Sequence, residues 1–126
     1  MGSSKISDLK KPSIAVIGLG YVGLSLAVAL ASNYKVIGFD EDEVRVGEIK
    51  AGFDNTGEIS RIQLGIARLR FTCDPSDMAN SELFIIAVPT PVDKDAKPDL
   101  GFLISASKTV GSVMGRGSIV VFESTV

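Results

Sequence analysis

The sequence predicts a doubly wound α/β fold: five parallel strands in the order 3-2-1-4-5, with helices on both faces of the sheet. Three observations predict it. Short runs rich in Val, Ile and Phe recur along the chain, and most lack polar alternation, as strands buried on both faces of a parallel sheet do. Segments of helical character separate most of these runs. A glycine-rich turn, Gly18-Leu19-Gly20-Tyr21-Val22-Gly23, joins the first run to the first helix.

Taken in order, the strands are expected at Ser13 to Gly18, Lys35 to Asp40, Leu69 to Thr72, Leu83 to Val88 and Ser118 to Phe122, the third being the least apolar. Between the first two, Val22 to Ala31 is apolar almost all round, so a helix packed deeply on the sheet is expected there. Glu41 to Lys50 sets Val44, Val46 and Ile49 among charges and reads as a shorter, more exposed helix. Gly52 to Gly65 reads as a loop followed by a short helix, and the polar, aperiodic Val92 to Pro98 as a surface loop. Asp99 is placed to cap a helix whose Leu103, Ala106, Val110 and Val113 share one face, with Gly115 and Gly117 stopping it. Residues 1–12, opening Met1-Gly2-Ser3-Ser4, read as a disordered or tag-like N-terminus, and 13–126 as one domain.

Composition bounds the chemistry. A chain of 126 residues and 13.3 kDa, 45% apolar and 22% charged, has room for one core and is too apolar for disorder. With 13 Lys and Arg against 15 Asp and Glu, it presents no basic field to nucleic acid or an anionic membrane. A single Cys and no His exclude an intrachain disulfide, a His/Cys zinc site and Ser-His or Cys-His hydrolysis, so no metal is expected. The apolar runs fall short of the roughly 20 residues that span a bilayer, and the cytoplasm is the simplest address.

The glycine turn has the spacing and context of a Rossmann-type dinucleotide fingerprint. Gly18 permits the tight turn, Gly20 lets a pyrophosphate approach the backbone, and Gly23 lets helix and strand pack closely. The helix start at Tyr21 and Val22 offers N–H groups and a positive dipole end to phosphates. Asp40 ends the second strand 17 residues after Gly23, where a carboxylate accepts both hydroxyls of an adenine ribose, and this favours NAD. Glu41, Asp42 and Glu43 add charge hostile to the 2′-phosphate of NADP, although Asp42 and Glu43 are better explained as carboxylates in a helix's first turn. Arg45 reads either as a flank of the adenine or phosphate or as a solvated helix residue. Val88-Pro89-Thr90-Pro91 makes a stiff loop after the fourth strand, at the sheet edge where ligands of this architecture bind, and Glu123-Ser124-Thr125 closes the fifth run at that edge.

Together IAVIGLGYVGLSLAVAL, VIGFDEDEVRV, VPTPVD with KPDL downstream, and IVVFESTV resemble the N-terminal domain of the UDP-glucose/GDP-mannose dehydrogenase family, from about Ser13 to Val126. RFTCDP and SASKTVG look most like the branch that oxidises UDP-N-acetylhexosamines, similar to Vi-polysaccharide-type dehydrogenases. Ser25 stands where many members have proline, though serine also occurs there. The resemblance implies an NAD-dependent, four-electron oxidation of a sugar C6 alcohol to a carboxylate, through an aldehyde and a cysteine thioester. It implies cofactor contacts at Val22, Asp40, Arg45, Thr90 and Thr125, to which Gly18, Gly20, Tyr21, Gly23 and Pro89 are added as loop residues, and a supporting catalytic role for Thr125. The family's nucleophilic cysteine lies beyond position 126, so this stretch alone is expected to be inactive, and Cys73 is expected to be a small filler residue. The expected partners are a UDP-sugar and a second copy of the chain, since Ile119, Val120, Val121 and Phe122 carry no charge or proline to blunt edge pairing. A stand-alone NAD-sensing module is the alternative of another class, and a hydroxyacid dehydrogenase with a similar loop is a third reading that YVG and VPTP oppose.

Overall fold

The computed structural model describes residues 11–52 and 68–123. Its elements are β1 (Ile14–Ile17), α1 (Tyr21–Leu30), β2 (Val36–Phe39), α2 (Glu43–Lys50), β3 (Leu69–Thr72), a 3-10 turn (Pro75–Met78), β4 (Leu83–Ile86), α3 (Gly101–Val113) and β5 (Ile119–Phe122). The sheet runs β3-β2-β1-β4-β5 with every pair parallel, which is the expected order. Because successive strand side chains point to opposite faces, the three central strands β2, β1 and β4 each serve two cores. Ile14 and Val16 enter one with Leu24, Ala27 and Val28 of α1 and Val46 and Ile49 of α2. Ala15 and Ile17 enter the other with Phe84 and Ile86 of β4, Met78, and Ala106 and Val110 of α3.

Local chemistry sets the helix ends. No side chain caps the start of α1, whose stability comes from the apolar faces it packs on the sheet. The Asp42 carboxylate accepts the N–H groups of Val44 and Arg45 at 3.0 and 3.2 Å, so α2 starts at Glu43 rather than Glu41. Asp99 accepts the Gly101 N–H at 2.9 Å from one position ahead of the cap at Leu100, and Gly117 turns the chain after α3 with φ at +84°.

Two expectations need correction, and one element is additional. The fifth strand is not buried on both faces: Ile119 is 61% exposed and Phe122 54%, and of its side chains only Val120 packs against a described core, although the strand is outermost in the sheet as expected. It is the open edge on which the expectation of self-association rests. Cys73 is exposed and fills no gap, since it follows β3 at the rim of the sheet. The short crossover to β4 carries a 3-10 turn that was not anticipated: Asp74 accepts from the Ser76 N–H and hydroxyl, which holds its carboxyl below the ordinary 3.8, and Pro75 starts the turn. The loop and helix read into Gly52 to Gly65 fall, except for Gly52, outside the described residues. Val92 to Pro98 is an exposed loop as expected, closed on itself by a bridge between Val92 and Pro98.

Candidate cofactor site

Parallel pairing brings the carboxyl ends of β1, β2 and β4 to one edge, and with them the glycine turn, Asp40 and the Val88 to Pro91 loop. Gly18 has φ at +100°, a conformation side chains resist, and a Cβ there would sit 3.0 Å from Val88. A Cβ on Gly23 would lie 1.6 Å from the Gly18 carbonyl oxygen, so the turn and α1 can meet this closely only without one. A Cβ on Gly20 would meet nothing within 4 Å. The turn therefore needs glycine at Gly18 and Gly23 for its own shape, and leaves space at Gly20 for something else. The first helical backbone bond runs from the Leu24 N–H to the Gly20 carbonyl at 3.0 Å, so the N–H groups of Tyr21, Val22 and Gly23 precede the helix's own acceptors. Such a helix start attracts anions.

Asp40 is half-buried and both its oxygens are oriented: Oδ2 accepts the Leu19 N–H at 2.9 Å and Oδ1 accepts the Asp42 N–H at 3.0 Å. Each oxygen keeps a further lone pair for a ligand hydroxyl. Arg45 corrects the reading of a solvated helix residue. It is 9% exposed, and its Nε donates to the Leu19 carbonyl at 2.8 Å. Leu19, which the motif leaves unspecified, is the residue that reading the glycines alone misses. Its side chain is fully buried over Gly38 of β2, where a Cβ would come within 2.9 Å of Leu19 Cδ2 and of Phe71 Cδ1. The available signal was a glycine in a strand interior, which marks a close approach.

Two cavities flank the turn and share Gly20, Val88 and Pro89. One, of about 660 Å³, is lined by Gly18, Asp40, Val88 and, from α3, Phe102, Ser105 and Thr109. Ser105 Oγ donates to Glu41 Oε2 at 3.3 Å, linking α3 to the acidic stretch. The other, of about 470 Å³, brings together Tyr21, Val22, Thr90 and Glu123. The structure thus assembles Gly18, Gly20, Tyr21, Val22, Asp40, Pro89 and Thr90 around one groove, with Gly23 beneath it; Arg45 supports the turn from below. Thr125 lies outside the described residues. Phe102, Ser105 and Thr109 went unnoticed because a helix some sixty residues after Asp40 carries no local mark of the cavity it will line. Among the described residues no group of His, Cys, Asp and Glu is placed to hold a metal, and no helix is long and apolar enough to cross a membrane.

The donor set fits NAD: a glycine turn open at Gly20, unpaired helix-start N–H groups for a pyrophosphate, and a fixed carboxylate for vicinal hydroxyls, between two cavities of the size that holds small ligands. Comparison with known proteins agrees. The model for the UDP-glucose/GDP-mannose dehydrogenase family, NAD binding domain, matches residues 12–126. Protein CapL of Staphylococcus aureus is 48% identical over 114 residues, covering 90% of this chain and 27% of that protein. The UDP-N-acetyl-D-glucosamine 6-dehydrogenase of Salmonella typhi is also 48% identical over 114 residues, with the same coverage. The structure of the UDP-D-ManNAc dehydrogenase from Pyrococcus horikoshii superposes with a TM-score of 0.83 at 40% identity, over 90% of this chain and 28% of that one. The chain thus spans little more than a quarter of the length of these relatives.

Proposed function

The chain belongs to the UDP-glucose/GDP-mannose dehydrogenase family and carries its NAD-binding domain, and from that premise we propose that it serves a nucleotide-sugar 6-dehydrogenase acting on a UDP-N-acetylhexosamine. Relatives named for UDP-N-acetylglucosamine and UDP-N-acetylmannosamine support that substrate class. NAD, when bound, supplies the hydride acceptor for an alcohol oxidation. The chain's own residues bind and orient it. Gly20 and the N–H groups that open α1 receive the pyrophosphate, and Asp40 accepts the adenine ribose hydroxyls. Tyr21, Val22, Pro89 and Thr90 line the other half of the groove, with Thr125 assigned by resemblance as a further contact and a supporting catalytic residue. Polar Thr90 and Glu123 in that second cavity favour the cofactor domain of an enzyme over a sensor, which needs nothing beyond the adenine half. Nucleophile and sugar pocket are assigned to the part of the family's length outside residues 1–126. The cytoplasm, where the sequence reading puts the chain, suits a reaction between two charged metabolites.

The single observation that carries the NAD assignment is the Asp40 carboxylate, held by two backbone N–H groups at the rim of the larger cavity. It accepts two hydroxyls and repels a 2′-phosphate. Calorimetric titration should find NAD bound at least about tenfold more tightly than NADP, the scale of one charged hydrogen bond, and Asp40→Ala should erase the difference. Equal or tighter NADP binding by the wild type would refute the assignment.

A further inference from the structure

We propose that Glu41, held by Ser105 of α3, reads the base of the dinucleotide: its carboxylate accepts the exocyclic amine of adenine and rejects a purine that carries an oxygen there. The inference rests on the NAD reading above and extends it from the ribose to the base. Three carboxylates line the larger cavity, those of Asp40, Glu41 and Asp42. Two of them are engaged by backbone. Asp40 accepts the Leu19 and Asp42 N–H groups, and Asp42 caps α2 by accepting those of Val44 and Arg45. Glu41 is met instead by a side chain from a distant element, Ser105 Oγ donating to its Oε2 at 3.3 Å. The base hangs from the ribose whose hydroxyls Asp40 accepts, so it lies within one sugar's reach of Asp40, and Glu41 is the next residue along the same cavity wall.

Helix α3 supplies another wall. Phe102, Ser105 and Thr109 recur at helical spacing and line the cavity, while Ala106 and Val110 of the same helix are buried in the core with Ile17 and Phe39. The helix is thus anchored on the sheet, and the Ser105 hydroxyl is in place before a ligand arrives. Phe102 is 47% exposed, an aromatic side chain left open at the cavity and suited to the flat face of a base. Stacking does not tell one base from another, because every base has such a face. The edge does. Adenine presents an amine donor at C6, where hypoxanthine presents an oxygen acceptor, and a carboxylate offers acceptors only. By donating to Oε2, Ser105 leaves Oε1 of Glu41 for the amine.

NAD and nicotinamide hypoxanthine dinucleotide differ at this one group and both lack a 2′-phosphate, so titrating the two separates base reading from repulsion of NADP. The wild type should bind NAD about tenfold more tightly than the hypoxanthine analogue. In Glu41→Gln, whose amide can donate as well as accept, the two affinities should agree within about threefold. Ser105→Ala, which frees the carboxylate to turn, should reduce the preference to about threefold, and Ser105→Thr, which keeps a hydroxyl, should restore it. Phe102→Ala should weaken both ligands alike by about tenfold and leave their ratio unchanged. Equal binding of the two by the wild type would overturn the proposal, as would a preference that survives Glu41→Gln or one that Phe102→Ala removes as fully. A full preference in Ser105→Ala would overturn the positioning role of Ser105. A wild type that binds neither dinucleotide would bring down the cofactor reading itself, an outcome distinct from binding that ignores the base.

Discussion

Two loops meet the groove from neighbouring strands, and they are held in opposite ways. The turn after β1 is tied to the core: Leu19 is fully buried, its N–H and C=O are each taken by a side chain from another element, and the glycines at either end admit no Cβ without a shift of backbone or neighbour. Beyond Thr90, the loop after β4 is tied to itself. Asp93 accepts the N–H groups of Asp95 and Lys97 at 2.8 and 2.9 Å, the Asp99 N–H donates to the Pro91 carbonyl at 2.6 Å, and every residue from 91 to 100 is exposed. A pyrophosphate cradle gains from being in place before the ligand arrives, because ordering it on binding would subtract from affinity. A self-contained surface loop carries no such demand and tolerates change.

The comparison breaks most visibly at Gly23. Alanine there would put its Cβ 1.6 Å from the Gly18 oxygen, a backbone atom that can yield only if turn and helix separate. Gly23→Ala should cost about 3 kcal/mol or more in denaturant unfolding and abolish measurable NAD binding. Retained affinity would mean that the turn is less fixed than its contacts imply. Gly38→Ala probes the same turn from below and should act more mildly, because the atoms it meets at 2.9 Å belong to the side chains of Leu19 and Phe71. A cost of about 1 to 3 kcal/mol is expected, together with weaker NAD binding, since displacing Leu19 disturbs the peptides that Asp40 and Arg45 hold. Destabilisation with unchanged affinity would separate the Leu19 wedge from the site.

The same contrast explains what could be read in the sequence. The strand order, the two-faced core, the need for glycine at Gly18 and Gly23 and the place of Asp40 at the end of β2 follow from local pattern, because each is set by neighbours close in the chain or by a known spacing. Local pattern left Arg45 open between a flank of the ligand and a solvated residue, because a helical arginine looks alike whether it meets solvent or, 26 residues back, a carbonyl. Leu19 was hidden in a position the fingerprint leaves open, and Gly38 was absorbed into an apolar run. The helix α3 residues of the larger cavity depend on how an entire layer packs, which no window of sequence contains. The outermost place of β5 follows from the predicted order, but the exposure of its side chains does not: β3 is equally outermost and keeps Leu69 and Thr72 buried, so what decides is how far the helices reach over each end of the sheet, which an apolar run does not record.

The smallest effect expected lies in the loop after β4, and it runs the other way. Ala96 has φ at 62°, the left-handed region that costs an L-residue about 1 to 2 kcal/mol and glycine almost nothing. Its N–H donates to the Asp93 carbonyl at 3.0 Å, so the turn around Asp93 imposes that conformation. Ala96→Gly removes the strain but adds freedom to the unfolded chain, worth about 0.4 to 1 kcal/mol against folding. The difference should leave the variant more stable by about 0.5 kcal/mol, a rise of roughly 2 °C in Tm by calorimetry. Since the loop is closed by its own hydrogen bonds and residues 91 to 100 are exposed, NAD affinity should not change. A shift of affinity in either direction would show that strain in this loop reaches Thr90, and the division between a turn built for the cofactor and a loop built for itself would fail.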